Sequence, residues 1–477
     1  MKKILNWNDR FYVGCLIVFF SNIFYVNAQV PQLKLLGRWN DPTIIGSAQY
    51  NNAYNEAYGF TVNNREYGII GSTYGWHIID VTEPKKPFER MRIKGGTSNE
   101  SVIHRDFRYH KCHIYAVCDE GSASTLQILD VSQLPDTAFL VYDKKELFYR
   151  SHNIYVDENK SRLYTSAEKN DQGFYALGLY DISNPSKPVL IDHYNKFGNI
   201  IANHVHDCFV RNDTAYLNCG NDGFAIMDFS DVKNPKPLYT LKPNEYQFSG
   251  YNHSGWLTPD GKTYVMADEN HGSPLKVFDL SNWSNIKIVS HLWANSDTSK
   301  CIPHNPLLSC KYAYIAYYYN GLQVFNIEDK NKPTLIGYYP TSTEFNDLSY
   351  EGAWGVYPFL PSGNLIVADM QKGMFIVEGP EKVCNPVNQC GISSNRNEKI
   401  NVTQVFPVPF HSSLNIKNLA KIRSIEVYSS IGSLIYNNTL DTQDEIEVNT
   451  SDWKEGVYIL RLITKGGELL SEKIIRL

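Results

Sequence analysis

Between Asn203 and Pro237 short apolar runs alternate with polar turns. Val205–Val210 ends at Arg211-Asn212-Asp213, Ala215–Cys219 ends at Gly220-Asn221-Asp222-Gly223, and Phe224–Phe229 runs to Ser230 and a Pro-containing turn before Leu238–Leu241. Runs of this length bounded by Gly, Asn, Asp and Pro predict strands, and four of them in about fifty residues predict one small antiparallel sheet. The third strand makes the recurrence visible: its last position is Asp80, Asp130, Asp181, Asp228, Asp279, Asn326 and Glu378 in turn, at separations of 50, 51, 47, 51, 47 and 52. A single four-stranded sheet cannot bury both faces, so sheets repeated at this period must cover one another, and seven units predict a seven-bladed β-propeller. No long helical period interrupts them, and the fold class is all-β.

The seventh unit supplies only three clear strands, Gly355–Phe359, Leu365–Asp369 and Met374–Val377. The apolar stretch Leu33–Gly37 is expected to provide the fourth and close the ring, which removes the two exposed sheet edges. Upstream, Lys2, Lys3 and Arg10 precede the mostly apolar run Phe11–Tyr25, and Val26-Asn27-Ala28 offers small residues for cleavage. Residues 1–28 thus read as a secretory signal, with a membrane anchor as the alternative. The expected organisation is a propeller over 29–384, a polar linker over 385–399 and a small β-sandwich-like module over 400–477. The mature chain is expected to hold no transmembrane segment.

Charge and cysteine content narrow the function classes. The net charge of the 477-residue chain is -5 and no basic run tracks a phosphate backbone, so nucleic acid is excluded as the expected partner. Eight cysteines follow the signal, in a compartment where disulfides persist. Cys384 and Cys390 flank a short loop and are candidates for a local bridge. Cys112 and Cys118 lie at opposite ends of one strand, too far apart to bond, while Cys208 and Cys219 on adjacent strands either pair or pack. Motifs for a Ser nucleophile elbow, a phosphate-binding loop, a zinc-protease helix, a dithiol or an EF-hand are absent from the sequence.

Aligned on their first strands, the units place Tyr58, Arg105, His152, His206, His253, His304 and Trp354 in one column and Gly59, Asp106, Asn153, Asp207, Ser254, Asn305 and Gly355 in the next. First strands line the channel of a propeller, so residues some fifty positions apart should meet around its axis. The loops between second and third strands add acids at the same face: Asp119, Glu120, Glu168, Asp222, Asp268, Glu269 and Asp369. Neutral imidazole with carboxylate suits a divalent transition metal, which makes His152, His206, His253 and His304 the candidate metal ligands. Arg105, Asp106, Asn153, Asp207, Asn305 and Trp354 are the candidate ligand-binding residues beside them, for a metal-bound or small anionic ligand. If there is catalysis, water on that metal attacking an ester, lactone or phosphate is the chemistry that fits. The competing reading is a non-enzymatic surface module, in which duplication copied a structural histidine from blade to blade and the loops grip a glycan or surface protein. His204 and His271 lie near enough to join the site.

Two resemblances add to this. The tail, through Pro407-Val408-Pro409-Phe410, Ile425-Glu426-Val427-Tyr428 with Gly432, and Gly456-Val457-Tyr458-Ile459-Leu460, resembles the C-terminal sorting domain of the type IX secretion system. It departs from the family in Val408, where Asn is usual. That likeness implies the secretion machinery as a partner and an extracellular or outer-membrane-surface location; a retained adhesive β-sandwich is the alternative. The blades, through His104-Arg105-Asp106-Phe107-Arg108, Ser151-His152-Asn153, Val205-His206-Asp207, Asn252-His253-Ser254-Gly255-Trp256, Pro303-His304-Asn305 and Gly352-Ala353-Trp354-Gly355, resemble the choice-of-anchor B family of LVIVD-repeat proteins. His104 stands where that family tends to have Trp. The resemblance implies a secreted propeller and no particular reaction.

Overall fold

The structure is a computed structural model and describes residues 30–295, 300–342, 350–381, 388–390, 404–429, 434–440, 442–465 and 469–477. The signal-peptide expectation falls outside them. The chain divides into two compact units, one ending at Gly391 and the other beginning at Ile392. Among the described residues no helix is long and apolar enough to cross a membrane.

Beside a two-stranded sheet, Lys196–Phe197 with Ile200–Ile201, the first unit holds among the described residues seven sheets of four or five strands, antiparallel but for one added strand in blade one. Their inner strands are Tyr54–Val62, Arg105–His110, Asn153–Asp157, Asp207–Arg211, Asn252–Leu257, Pro306–Ser309 and Ala353–Tyr357. In blades one to six the strands pair in the order of the sequence. Blade seven takes its outer strand from the other end of the chain: Leu35–Trp39 lies antiparallel to Gly373–Val377. Both ends of the repeat array are thereby joined by main-chain hydrogen bonds within one sheet. Apolar side chains from facing blades fill the space between them. Phe60, Trp76 and Ile78 of blade one, for instance, pack with Phe107 and Ile114 of blade two, all fully buried.

The propeller unit extends past residue 384, because Gln389 and Cys390 add a fifth, parallel strand beside Thr61 and Val62 of blade one. Cys390 is bridged to Cys112, across 278 residues, and not to Cys384. The cause is a turn: Cys112 sits at positive φ between the first two strands of blade two. There it meets the returning chain. Cys208 and Cys219 are free and buried, so they pack and do not pair.

The second unit has a three-stranded sheet (Gln404–Phe406, Ser413–Lys417, Glu445–Asn449) and a four-stranded one built on Ile422–Ser429 and Gly456–Thr464. Leu414, Ile416, Ile425, Val427 and Leu460 alternate with polar neighbours along these strands and meet in one core. This is the two-layer β arrangement that such alternation predicts.

Candidate functional site

The ring expected from the repeat is present, with one unexpected member. Around the channel mouth, successive ring centroids lie 4.8 Å apart for His104–His152, 4.1 Å for His152–His206, 4.1 Å for His206–His253 and 4.3 Å for His253–His304. Trp354 closes the circle at 4.9 Å from His304 and 5.3 Å from His104. The ring surrounds a cavity of about 220 Å³, with Tyr50, Glu269, Tyr318 and Tyr350 on its wall. Local backbone sets these directions. His253 and Trp354 lie at β-bulges, where the register skips from Asn252 to Ser254 and from Ala353 to Gly355. A bulge re-aims a side chain that strict alternation would turn away.

One nitrogen of most rings is already committed. His104 Nδ1 lies 2.6 Å from Glu120 Oε1 and His152 Nδ1 2.9 Å from Asp119 Oδ2. His206 Nδ1 meets the His253 carbonyl at 3.1 Å, and His304 Nδ1 meets the Trp354 carbonyl. Carbonyl and carboxylate oxygens only accept, so Nδ1 carries a proton in these four rings, and Nε2 offers a lone pair wherever the ring is neutral. His253 differs: its Nδ1 is buried without a hydrogen-bond partner, and its Nε2 is 3.7 Å from Glu269 Oε2.

Burial, reinforced by the neighbouring imidazoles, pushes His206 and His253 well below the ordinary histidine pKa. Burial likewise lowers His304 to about 3. These three rings are neutral near pH 7. His104 is opposed by burial too, but its bond to Glu120 and the nearby Asp119 outweigh this and raise it. Burial lifts the Glu269 carboxyl to about 7, against the Tyr318 hydroxyl that donates to it at 2.6 Å. Asp119 moves the other way, to about 2: its burial is overcome by His152, His104 and Arg150. Two trios bring ligating atoms within 4.8 Å of one another, His104 with Asp119 and His152, and His253 with Glu269 and His304; His206 stands between them.

The other candidates separate by depth. Trp354 belongs to the ring. Arg105 reaches the cavity wall, but its guanidinium is spent on the Ser72 carbonyl at 2.8 Å and the Thr97 carbonyl at 2.7 Å, clamping blade one to blade two. Because Arg105 turns away, His104 takes its place in the ring; the one-residue offset hid it from the column alignment.

Asp106, Asn153 and Asn305 line both the cavity and a smaller space of about 30 Å³ beneath it, whereas Asp207 lines only the lower space. Blade one is out of register with the alignment. Glu56, not Tyr58 or Gly59, stands level with Asp106 and Asn305, accepting from Asn305 Nδ2 at 2.7 Å. Its inner strand is bulged between Tyr54 and Ala57, which displaces the count. A Cβ on Gly355 would lie 1.9 Å from Glu56 Oε1, so the bare glycine of blade seven leaves the room that this carboxylate occupies. Glu56 is raised well above its ordinary pKa, Asp106 is raised, and Asp207 rises to about 7, in each case first through burial and despite Arg108 nearby.

Outside the ring, His204 is bonded to the Tyr251 hydroxyl at 2.6 Å and His271 is exposed. Of the acidic loops, Glu168 and Asp268 are turned to partners within their own blades, His193 and Lys276. Asp222 holds the Asn203 main chain.

Comparison with known proteins bears on the two units separately. Residues 404–476 match the secretion system C-terminal sorting domain, and residues 177–196 and 307–341 match the LVIVD repeat. The chain therefore carries the address of a protein secreted to the cell surface or beyond, handled by the type IX system, on a β-propeller in which two segments match the LVIVD repeat. No curated protein matches the sequence. Among solved structures it is similar to the extracellular domain of a hybrid two-component system from B. thetaiotaomicron, with TM-score 0.50 and 11% identity over 94% of this chain and 57% of that one. It is also similar to PorZ, a surface component of the type IX secretion system of Porphyromonas gingivalis (TM-score 0.42, 11% identity, 92% and 61% covered). The Cps50 β-propeller domain of Myceliophteria thermophila gives TM-score 0.47 and 11% identity over 72% and 98%. At 11% identity the first of these likenesses speaks to fold alone.

Proposed function

We propose that the chain is a secreted propeller whose upper chamber binds a divalent transition metal ion, or a small ligand through that ion. The ligand set is drawn from His152, His206, His253 and His304, with His104 added and Glu269 as the nearest carboxylate. What carries this reading is the shared tautomer: four rings have Nδ1 held by an acceptor, the arrangement that fixes imidazole orientation and offers Nε2 to a metal. Metal–nitrogen bonds are about 2.0–2.1 Å, so neighbours along one arc of the ring serve one ion and the whole circle does not. Trp354, Tyr318 and Tyr350 would then wall the open positions of such an ion, which supplies Lewis acidity to a bound oxygen.

A structural ring is the second reading, favoured by the main-chain acceptors of His206 and His304, which tie neighbouring blades together. These bonds account for one nitrogen of each ring and leave the other unexplained. Titration of the secreted protein with Co(II) distinguishes the two. A saturable d–d band, lost in His206→Ala combined with His253→Ala while the melting transition is retained, supports the metal reading; absence of any band in the folded wild type supports the structural one.

A further inference from the structure

The opposite end of the same channel carries a second ring, built from different chemistry. Two and four positions beyond the first polar layer, the inner strands present aromatic side chains. Centroids follow at 5.1 Å for Tyr58–Tyr357, 5.4 Å for Tyr357–Phe359 and 5.9 Å for Phe359–Trp256. The circle continues at 4.9 Å for Trp256–Phe209 and 5.2 Å for Phe209–Tyr155. The remaining gap is filled by the Arg108 guanidinium, 5.6 Å from the Tyr58 centroid and 5.6 Å from that of Tyr155. Six aromatic faces and one guanidinium thus encircle a cavity of about 280 Å³.

This is not a filled plug. Arg108 Nη1 is taken by Asp106 at 2.8 Å and by the Phe107 carbonyl at 2.7 Å, but among the described residues no acceptor meets Nη2, and Nε is buried without a partner. A permanently charged group with unspent donors calls for acceptor oxygens. Asp106 beside it offsets the charge, so those oxygens need not be anionic. Asp157, Glu158 and Asn159 also line the cavity, the last two exposed. Acceptors at the mouth, unspent donors at the floor and flat apolar faces between them match a molecule with hydroxyls on its edge and C–H groups on its faces.

We infer that the lower mouth is a binding site for a saccharide, one hexose-sized unit stacking on Trp256, flanked by Tyr155 whose plane stands at 63° to it, with ring or hydroxyl oxygens accepting from Arg108. The site is anchored from outside the repeat. Asn388, two residues before the bridged Cys390, donates to the Tyr58 hydroxyl at 3.0 Å and to the Tyr357 hydroxyl at 2.8 Å, holding both rings at one side of the cup. Nothing in it depends on the histidine ring.

The test is saturation-transfer NMR on the full secreted chain with glucose, galactose, mannose, N-acetylglucosamine and glucuronate at millimolar concentration, and benzoate as a flat non-sugar anion. Transfer to the C–H protons of at least one sugar is expected, unchanged in His206→Ala and weakened at least tenfold in Trp256→Ala and in Arg108→Lys. Should Trp256→Ala fail to fold, Tyr155→Leu tests the same face. Silence from every sugar, transfer to benzoate alone, or sugar transfer untouched by both the aromatic and the Arg108 variants overturns the proposal.

Discussion

The two mouths of the channel are built on the same seven inner strands, yet one is a ring of imidazoles and the other a ring of aromatic faces. At the upper end the chain is entering its strands, and bulges at His253 and Trp354 let consecutive residues point inward. Four of the five imidazoles there are tied through Nδ1 to an acid or a carbonyl, so hydrogen bonding decides their orientation. Further along, regular alternation takes over. Asp106 and Arg108 share one face, as do Asp207 and Phe209, and the depth of a residue follows from its parity alone. In the lower ring Phe209, Trp256 and Phe359 are oriented by ring packing, with hydrogen bonds added at Tyr58, Tyr357 and Arg108. A propeller can therefore carry polar, proton-bearing chemistry at one end and stacking chemistry at the other without altering its blades.

The harshest way to break this comparison is to remove what both mouths share. Deleting residues 30–40 strips blade seven of Leu35–Trp39 and leaves an unpaired edge where the ring closes. Loss of the cooperative thermal transition, by far-UV circular dichroism, is expected; an unchanged melt would mean that the closure is dispensable.

A more selective cut separates the ends. Replacing Cys112 and Cys390 by Ser removes a bridge across 278 residues and, by the loop-entropy argument, about 5–6 kcal/mol of stability. The damage should fall at the lower mouth, where Asn388 is tethered, and leave the Co(II) response of the upper chamber intact. Chemical denaturation and the Co(II) band, read on one sample, check both halves.

Between the mouths, Glu56 offers a gentler probe. Its folded pKa is well above the ordinary 4.5, first through burial and then through Asp106. Below pH 4.5 folded and unfolded chains both hold the proton; above it the unfolded chain releases it while the folded chain retains it. Stability is therefore lost as pH rises through that window, by at most about 1.4 kcal/mol per pH unit for this group. Glu56→Gln keeps an acceptor for Asn305 and should flatten this slope between pH 4.5 and 6.5. Parallel stability curves for the two proteins would mean that Glu56 does not hold its proton.

How much of this was legible in the residues follows the same division. The period of the third strand and the four aligned histidines announce the blades and the upper ring, because duplication writes a shared position at a fixed spacing. His104 escaped, since Arg105 occupies the aligned position and spends itself on the Ser72 and Thr97 carbonyls. Glu56 escaped because a bulge in blade one shifts the count. The pairing of Cys112 with Cys390 joins a hairpin turn to a strand that returns from beyond the repeat, and no local pattern encodes so distant a contact. The lower ring mixes Tyr, Phe and Trp, residues that any half-buried strand favours, so its members do not stand out from ordinary core until the strands are assembled.

The central claim, that neutral imidazoles converge on an ion, meets its most direct test in elemental analysis of the protein recovered from its own culture medium without added metal or chelator. At least one first-row transition metal ion per chain is predicted, falling below a tenth of that in the His206→Ala, His253→Ala double variant. A folded wild-type chain that arrives metal-free, and takes up none on incubation with Zn(II), Co(II), Ni(II) or Cu(II), would contradict it.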